Sequence, residues 1–339
     1  MDQEKSDLLM VKKNGLDLEK VRNQTYKICI AAIKNDSHAL QYVEDQTEEI
    51  CLFAIELDPR VLKYVRERTD FLCKKAIEYD YSVINIIPQT PELCDFAIEI
   101  CSHALIYIID KTENICLKAV KEDGDLLQYV ENQTYEICHS AVSQIGYALR
   151  YVKEQTYDIC LAAIRKTPHA LQYVTEKCDD LCYAAVRANG HTIRYVTNQT
   201  DDLCLEAIRQ SYSALQYIIQ QTDEICWTAI EINPSAICYI RDQTYEMCLY
   251  AVRKNGDNIV YVDEKTPDLL LEAVTQNGDS LRFIKEQTEE LCLIAINNHP
   301  YAIRHVYEQT YNLCRIAYEK NKNTIRYVRD EEIKKMLRS

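Results

Sequence analysis

Glycine and proline are scarce. The 339-residue chain holds 6 Gly and 7 Pro, which excludes collagen-like and Pro/Gly-rich disordered chains. Cations are in the minority: 39 Lys and Arg stand against 53 Asp and Glu, a net charge of −14. That balance argues against a general polyanion binder. No apolar run reaches the ~18 residues of a membrane span. The opening MDQEKSDLLM lacks the long apolar stretch of a secretory signal. No H-E-x-x-H or G-x-S-x-G string occurs, and every Gly is committed to one recurring turn position, which leaves none for a phosphate loop. No catalytic, cofactor-binding or metal-binding residue is therefore assigned, no cofactor is expected, and the chain does not read as an enzyme. Sixteen Cys without a secretory signal read as reduced thiols in a cytosol-like compartment.

What is present is a repeat. QTEEICLFAIELDPRVLKYVRE (46–67) recurs along the chain. Indexed by one Thr slot, the copies start at Thr25, Thr47, Thr69, Thr90, Thr112, Thr134, Thr156, Cys178, Thr200, Thr222, Thr244, Thr266, Thr288 and Thr310. The spacing is 22 residues except from Thr69 to Thr90, where it is 21. Seven after the slot comes Ala in all fourteen copies, and four after it comes Cys in thirteen, with Leu270 the exception. Five before the next slot comes Tyr in eleven, replaced by Asn85, Phe283 and His305. Residues 1–24 keep Val11, Asn14, Gly15, Leu18 and Val21 in register and read as a degenerate N-terminal capping repeat. Residues 25–331 read as the fourteen-copy array and 332–339 as a truncated capping helix.

Within one copy, Ile50, Cys51, Ala54 and Ile55 mark one stripe of a helix. Thr47 is placed to cap it, with Glu48 and Glu49 in the first turn where the helix dipole favours negative charge. This helix A is expected to start at the Thr and run about ten residues. All six Gly and four of the Pro share the next break. Asn255-Gly256 and Asn277-Gly278 predict a left-handed turn residue there. Helix B follows, about eight residues, with Val61, Leu62 and Val65 on its apolar stripe and Tyr64 on the shoulder. Neither helix is stable alone in water. The fold expected is all-α: an α-solenoid of about fourteen 22-residue helix-turn-helix repeats, some 28 short helices in a single continuous superhelix. Leucine-rich repeats share this length, but the L-x-L alternation and Asn ladder they need are absent.

The string DLLLEAVTQNGDSLRFI (268–284), with its Ala-Val pair and Asn-Gly turn, resembles a helical-repeat family of unknown function abundant in mimivirus-like giant viruses. The likeness runs over essentially the whole chain, although Cys in nearly every copy departs from the general pattern. The resemblance implies a viral protein, in host cytoplasm or virion, and brings no catalytic residues.

Thirteen Cys at one point of helix A form one thiol per layer. Stacked helices lie ~8–10 Å apart, too far for disulfides, which need Cα atoms within ~7 Å, and no zinc set converges. They read as small buried hydrophobes. The Tyr ladder reads as inter-repeat packing or an aromatic-lined groove. The outward face of helix B carries a polar and basic line, most concentrated as Arg282, Arg304 and Arg326, followed on the shoulder by Phe283, His305 and Tyr327. These six are the candidate partner-binding residues, since Arg and aromatics are enriched at hot spots. The 21-residue copy, with Asn85 and Pro88, is expected to be irregular near 84–91. The function expected is a monomeric, non-enzymatic protein-interaction scaffold with a protein partner and no membrane. A structural part of a virus particle is one alternative. A nucleic-acid superhelix is another, but phosphate tracking would require excess Lys and Arg on one face of every copy. Replacing an invariant Ala tests the packing: Ala163→Leu should overpack the stack and lower stability by about 1–3 kcal/mol. Unchanged thermal melting would place that face in solvent.

Overall fold

The computed structural model describes residues 2–339 and, among them, contains helices and no strand. Two compact units divide the chain, Met1–Thr175 and Glu176–Ser339. The first holds the N-terminal helix Asp2–Lys13 with a short helix Gly15–Lys20, then the copies starting at Thr25 through Thr156. The second holds the copies starting at Cys178 through Thr310 and ends in the helix Glu331–Arg338. Each unit by itself is an α-solenoid stack of about 22-residue helix-turn-helix copies.

Helix A follows the expectation closely. In the copy at Thr47 it spans Glu48–Leu57, ten residues, with Thr47 extended at φ −67°, ψ 156° and its hydroxyl accepting from the Ile50 N–H. Ten copies cap in this way. Ile50, Cys51, Ala54 and Ile55 are buried together. The carbonyl seven after the Thr slot accepts from the N–H of the helix's C-cap residue, as Ala54 does from Asp58.

Helix B differs from the expectation. It is a six-residue 3₁₀ helix, Pro59–Tyr64, closed by three-residue bonds such as Val61 N–H to Asp58 and Val65 N–H to Leu62. The physical reason is length. Asp58 caps one end by accepting from the Arg60 N–H, and Val65 is already extended at the other. Six residues between fixed ends close more bonds as 3₁₀ than as α. At three residues per turn, Leu62 and Val65 eclipse one another, as do Val61 and Tyr64. Val61, Leu62 and Val65 are buried, and the remaining edge, which carries Arg60 and Lys63, is exposed.

The glycine expectation is also corrected. No described residue has a positive φ, so the Gly slot is not a left-handed turn. Its demand is steric and comes from the next copy. A Cβ at Gly278 would lie 2.3 Å from the Ala295 carbonyl oxygen, and one at Gly124 2.4 Å from that of Ala141. In the 21-residue copy, helix B spans Tyr81–Ile86, so Ile86, not Asn85, fills the Tyr slot, and the missing residue is lost from the loop after it. Pro88 lies beyond the helix and kinks nothing.

Copies are joined by a side chain outside the apolar stripes. The residue before the Thr slot is Gln in ten of fourteen copies. Gln221 Nε2 donates to the Tyr239 carbonyl at 2.9 Å and its Oε1 accepts from the Arg241 N–H at 3.0 Å. Gln24, Gln46, Gln89, Gln133 and Gln155 do the same in the first unit. Gln199, Gln243, Gln287 and Gln309 do so in the second. Gln221→Ala would remove a part-buried bond to the Tyr239 carbonyl and an exposed one from the Arg241 N–H, so it should lower stability by about 0.5–1.5 kcal/mol. Urea unfolding of the variant measures this; a loss within error would mean that water replaces the amide.

Candidate functional site

The candidate strip lies on the 3₁₀ edge of three consecutive copies, and the structure brings its members together with groups already paired. The Arg282 guanidinium meets the Asp257 carboxylate, and Arg304 meets Asp279 at 2.9 Å. In the first unit Arg150 meets Asp125 at 3.3 Å. All three acids follow the slot Gly in Gly-Asp dipeptides, 25 residues before the Arg. Arg326 has Tyr at that distance instead and lies over the Tyr301 ring, 5.7 Å from its centroid. Two of the three also cover the ring that follows them, Arg282 over Phe283 at 4.5 Å and Arg326 over Tyr327 at 4.8 Å. The strip is therefore a lattice joining copies, in which two of three Arg charges are offset by carboxylates. Charge reversal there would set Glu against Asp257 and Asp279, so it perturbs the stack itself.

His305 has shifted proton chemistry. Burial pushes its imidazole below the ordinary value, and the nearby Arg304, Arg282 and His299 push the same way against Asp279. Arg304 Nε donates to His305 Nε2 at 2.9 Å, which requires an unprotonated acceptor. Asp279 Oδ1 is 3.1 Å from His299 Nδ1 and 3.8 Å from His305 Nε2.

The ladder thiols are free and all thirteen are buried, whereas Cys178 and Cys238 are exposed. Burial holds them protonated: Cys51, Cys204, Cys226, Cys292 and Cys314 are pushed up to about 11. Several point at the Gln ladder. Cys138 Sγ lies 3.6 Å and Cys248 Sγ 3.5 Å from the Oε1 of the Gln five residues earlier. The thiol thus donates to the oxygen that also accepts from the next copy's backbone. Leu270, the one departure from Cys, follows Lys265, one of the four residues replacing Gln.

Two signals in the sequence gain meaning only from the stacked copies: the Gln slot itself, and its companion at the helix end. Ten after the Thr slot an amide occurs five times, as Asn35, Gln144, Gln210, Gln276 and Asn298, each one copy after a slot Gly. Four of them accept from that Gly N–H: Asn35 from Gly15 at 2.7 Å, Gln144 from Gly124 at 3.1 Å, Gln276 from Gly256 at 2.6 Å and Asn298 from Gly278 at 2.9 Å. Gln210 instead binds Glu206.

Residues 244–288 match a family described as a domain of unknown function (DUF4116). The matched window holds the copies at Thr244 and Thr266 and the whole of the 268–284 string. No curated protein matches the chain.

His305 gives a pH prediction. Its folded-state pKa lies below 6.5, its ordinary value, so the unfolded chain takes up the proton first as pH falls. The stability it contributes is fully present above ~6.5 and is lost as pH drops through the folded value. Its ring proton should titrate below 6.5 by NMR, and His305→Gln should flatten the fall in melting temperature between about pH 7 and 5. A midpoint at or above the ordinary value would contradict the buried, Arg304-bonded ring.

Proposed function

We propose that the protein is a non-enzymatic scaffold that binds another protein. The observation that carries this reading is the division of roles inside each copy. The Gln, Thr, Cys and Ala slots are nearly constant and are spent on joining and filling the stack. The exposed helix ends change from copy to copy: ten after the Thr slot the first unit carries Asn35, Leu57, Tyr79, Ile100, Glu122, Gln144 and Lys166. A constant frame with a divergent surface is how solenoids present extended binding faces. A protein partner is favoured over nucleic acid because, on the outward 3₁₀ edge, Arg150, Arg282 and Arg304 are paired with carboxylates inside each stack, which leaves that edge short of free cations to follow phosphates. No described helix is long and apolar enough to cross a membrane.

The full-length tagged chain should capture a protein that co-elutes at fixed stoichiometry by size-exclusion chromatography with light scattering. Material that absorbs as nucleic acid and disappears with nuclease, or a chain that captures no protein, would overturn the reading.

A further inference from the structure

A helix C-terminus carries the negative pole of the helix dipole, and cations in the last turn stabilise it. Seven of the fourteen copies conform. Nine residues after the Thr slot stand Lys34, Lys121, Arg165, Arg187, Arg209 and Arg253. Glu occupies that slot in five copies, as Glu56, Glu78, Glu99, Glu231 and Glu319; the first three are consecutive and invert the rule, since no basic residue lies in the last turn of their helices. The next residue in each is a large apolar side chain left in water. Leu57 is 50%, Tyr79 54% and Ile100 44% exposed. The copies on either side have Asn35 and Glu122 there. Stacked helices lie ~8–10 Å apart, so the three pairs form an apolar row beside an acidic row. Asp58 and Asp80 add two more carboxylates at the ends of the first two helices. Lys75 reaches Glu78 at 2.7 Å, and Lys118 divides itself between Asp95 at 3.0 Å and Glu99 at 3.5 Å. These are exposed pairs that a competing cation displaces readily.

We infer that the Leu57–Tyr79–Ile100 strip, with Glu56, Glu78 and Glu99 beside it, docks a basic amphipathic helix of a partner protein. The charge of the acidic row selects Lys and Arg, and the inverted helix ends supply a second negative contribution at the same place. Spacing selects the helix. An apolar face that recurs every seven residues advances ~10.5 Å, close to the ~8–10 Å between copies, so successive anchors meet Leu57, Tyr79 and Ile100. The partner's cations then stand where other copies place their own Lys or Arg. The 3₁₀ helices that follow the helices of Glu78 and Glu99 leave Ile86 and Ile106 exposed as well.

The inference rests on the scaffold reading, and the two fail separately. A captured partner that stays bound to strip variants sinks the strip alone, whereas a wild-type chain that captures no protein sinks the scaffold. The direct probe is a fluorescein-labelled amphipathic helical peptide of Leu and Lys, compared with a Leu and Glu peptide of the same apolar pattern. Anisotropy titrations on the full chain should give saturable binding of the Lys peptide and none of the Glu peptide. The triple variant Glu56→Lys, Glu78→Lys, Glu99→Lys should weaken binding by about tenfold or more while its melting temperature holds or rises, because it restores cations to three helix ends. Leu57→Ser, Tyr79→Ser, Ile100→Ser should weaken it similarly. Reversal of Glu48, Glu49 and Glu92, at helix starts in two of the same copies, matches the charge change and should leave binding within about threefold. Equal losses from both Glu sets, no loss from the strip set, or equal binding of the two peptides would overturn the inference.

Discussion

One side-chain amide sets the spacing of the copies. A six-residue 3₁₀ helix closes few of its own backbone bonds, and its last carbonyl and the loop N–H two residues on face the preceding copy. The carbonyl is part-buried and the N–H exposed, as at Tyr64 and Arg66, and a carbonyl shielded from water is costly to leave unpaired. The Gln before the preceding Thr slot supplies a donor and an acceptor at once. Because both come from one rigid amide, they fix a register of 18 and 20 residues, as Gln46 does with Tyr64 and Arg66. The Cys four after the slot belongs to the same device. Its thiol is small enough to sit inside the stack and polar enough to donate to the amide oxygen, as Cys138 does to Gln133. Arg68, a donor only, replaces Gln where the receiving position is Pro88, which has no N–H to offer. Arg68 turns instead to the carbonyls of Leu62 and Lys63. The two exceptions are thus one coupled change.

Above this common device lies a copy-specific one. A stack of near-identical copies invites slippage, since any copy resembles its neighbour's neighbour. Pairs present at only some junctions penalise that. Gly15 with Asn35 and Gly278 with Asn298 bond across single junctions, and Gly-Asp with an Arg 25 residues later recurs at three. A register skip would leave an amide without its N–H and press a Cβ-bearing residue against an Ala carbonyl that leaves room only for Gly. Specificity of neighbour order is thereby written in close contacts and polar pairs that only the native order satisfies.

The repeat, helix A, its Thr caps and the buried character of the Cys ladder were legible because each depends on residues within one copy. What stayed hidden depends on two. Val61, Leu62 and Val65 suit the stripe of an α-helix or of a 3₁₀ helix, and only the fixed ends at Asp58 and Val65 decide. Gly256 after Asn255 carries the signature of a left-handed turn, yet its constraint is the Ala273 carbonyl of the following copy. The outward Arg residues were placed on an exposed edge, where the structure has them, but their partners stand 25 residues earlier and belong to another layer. The Gln–backbone bonds were equally hidden, since a Gln before an N-cap reads as an ordinary loop residue until the next copy is set beside it.

The same dependence on neighbours gives the inverted helix ends their weight. Solenoid stability is close to a sum of copy terms and nearest-neighbour terms, so distant copies do not average out a local loss. Glu56, Glu78 and Glu99 oppose their helix dipoles, and Leu57, Tyr79 and Ile100 leave apolar area in water, in adjacent copies whose shared junctions include the one at Arg68 and Pro88 that lacks the Gln bonds. The unfavourable choices therefore fall on one segment, which must be among the more weakly held parts of its unit. Lys or Arg at the first slot and Asn or Gln at the second occur elsewhere in the same chain and fit the same backbone. Residues that break a local rule where a fitting alternative is in use next door are the ones a functional demand explains. Here the demand has a defined chemistry: a surface short of positive charge and of apolar cover, repeated at the interval of the stack.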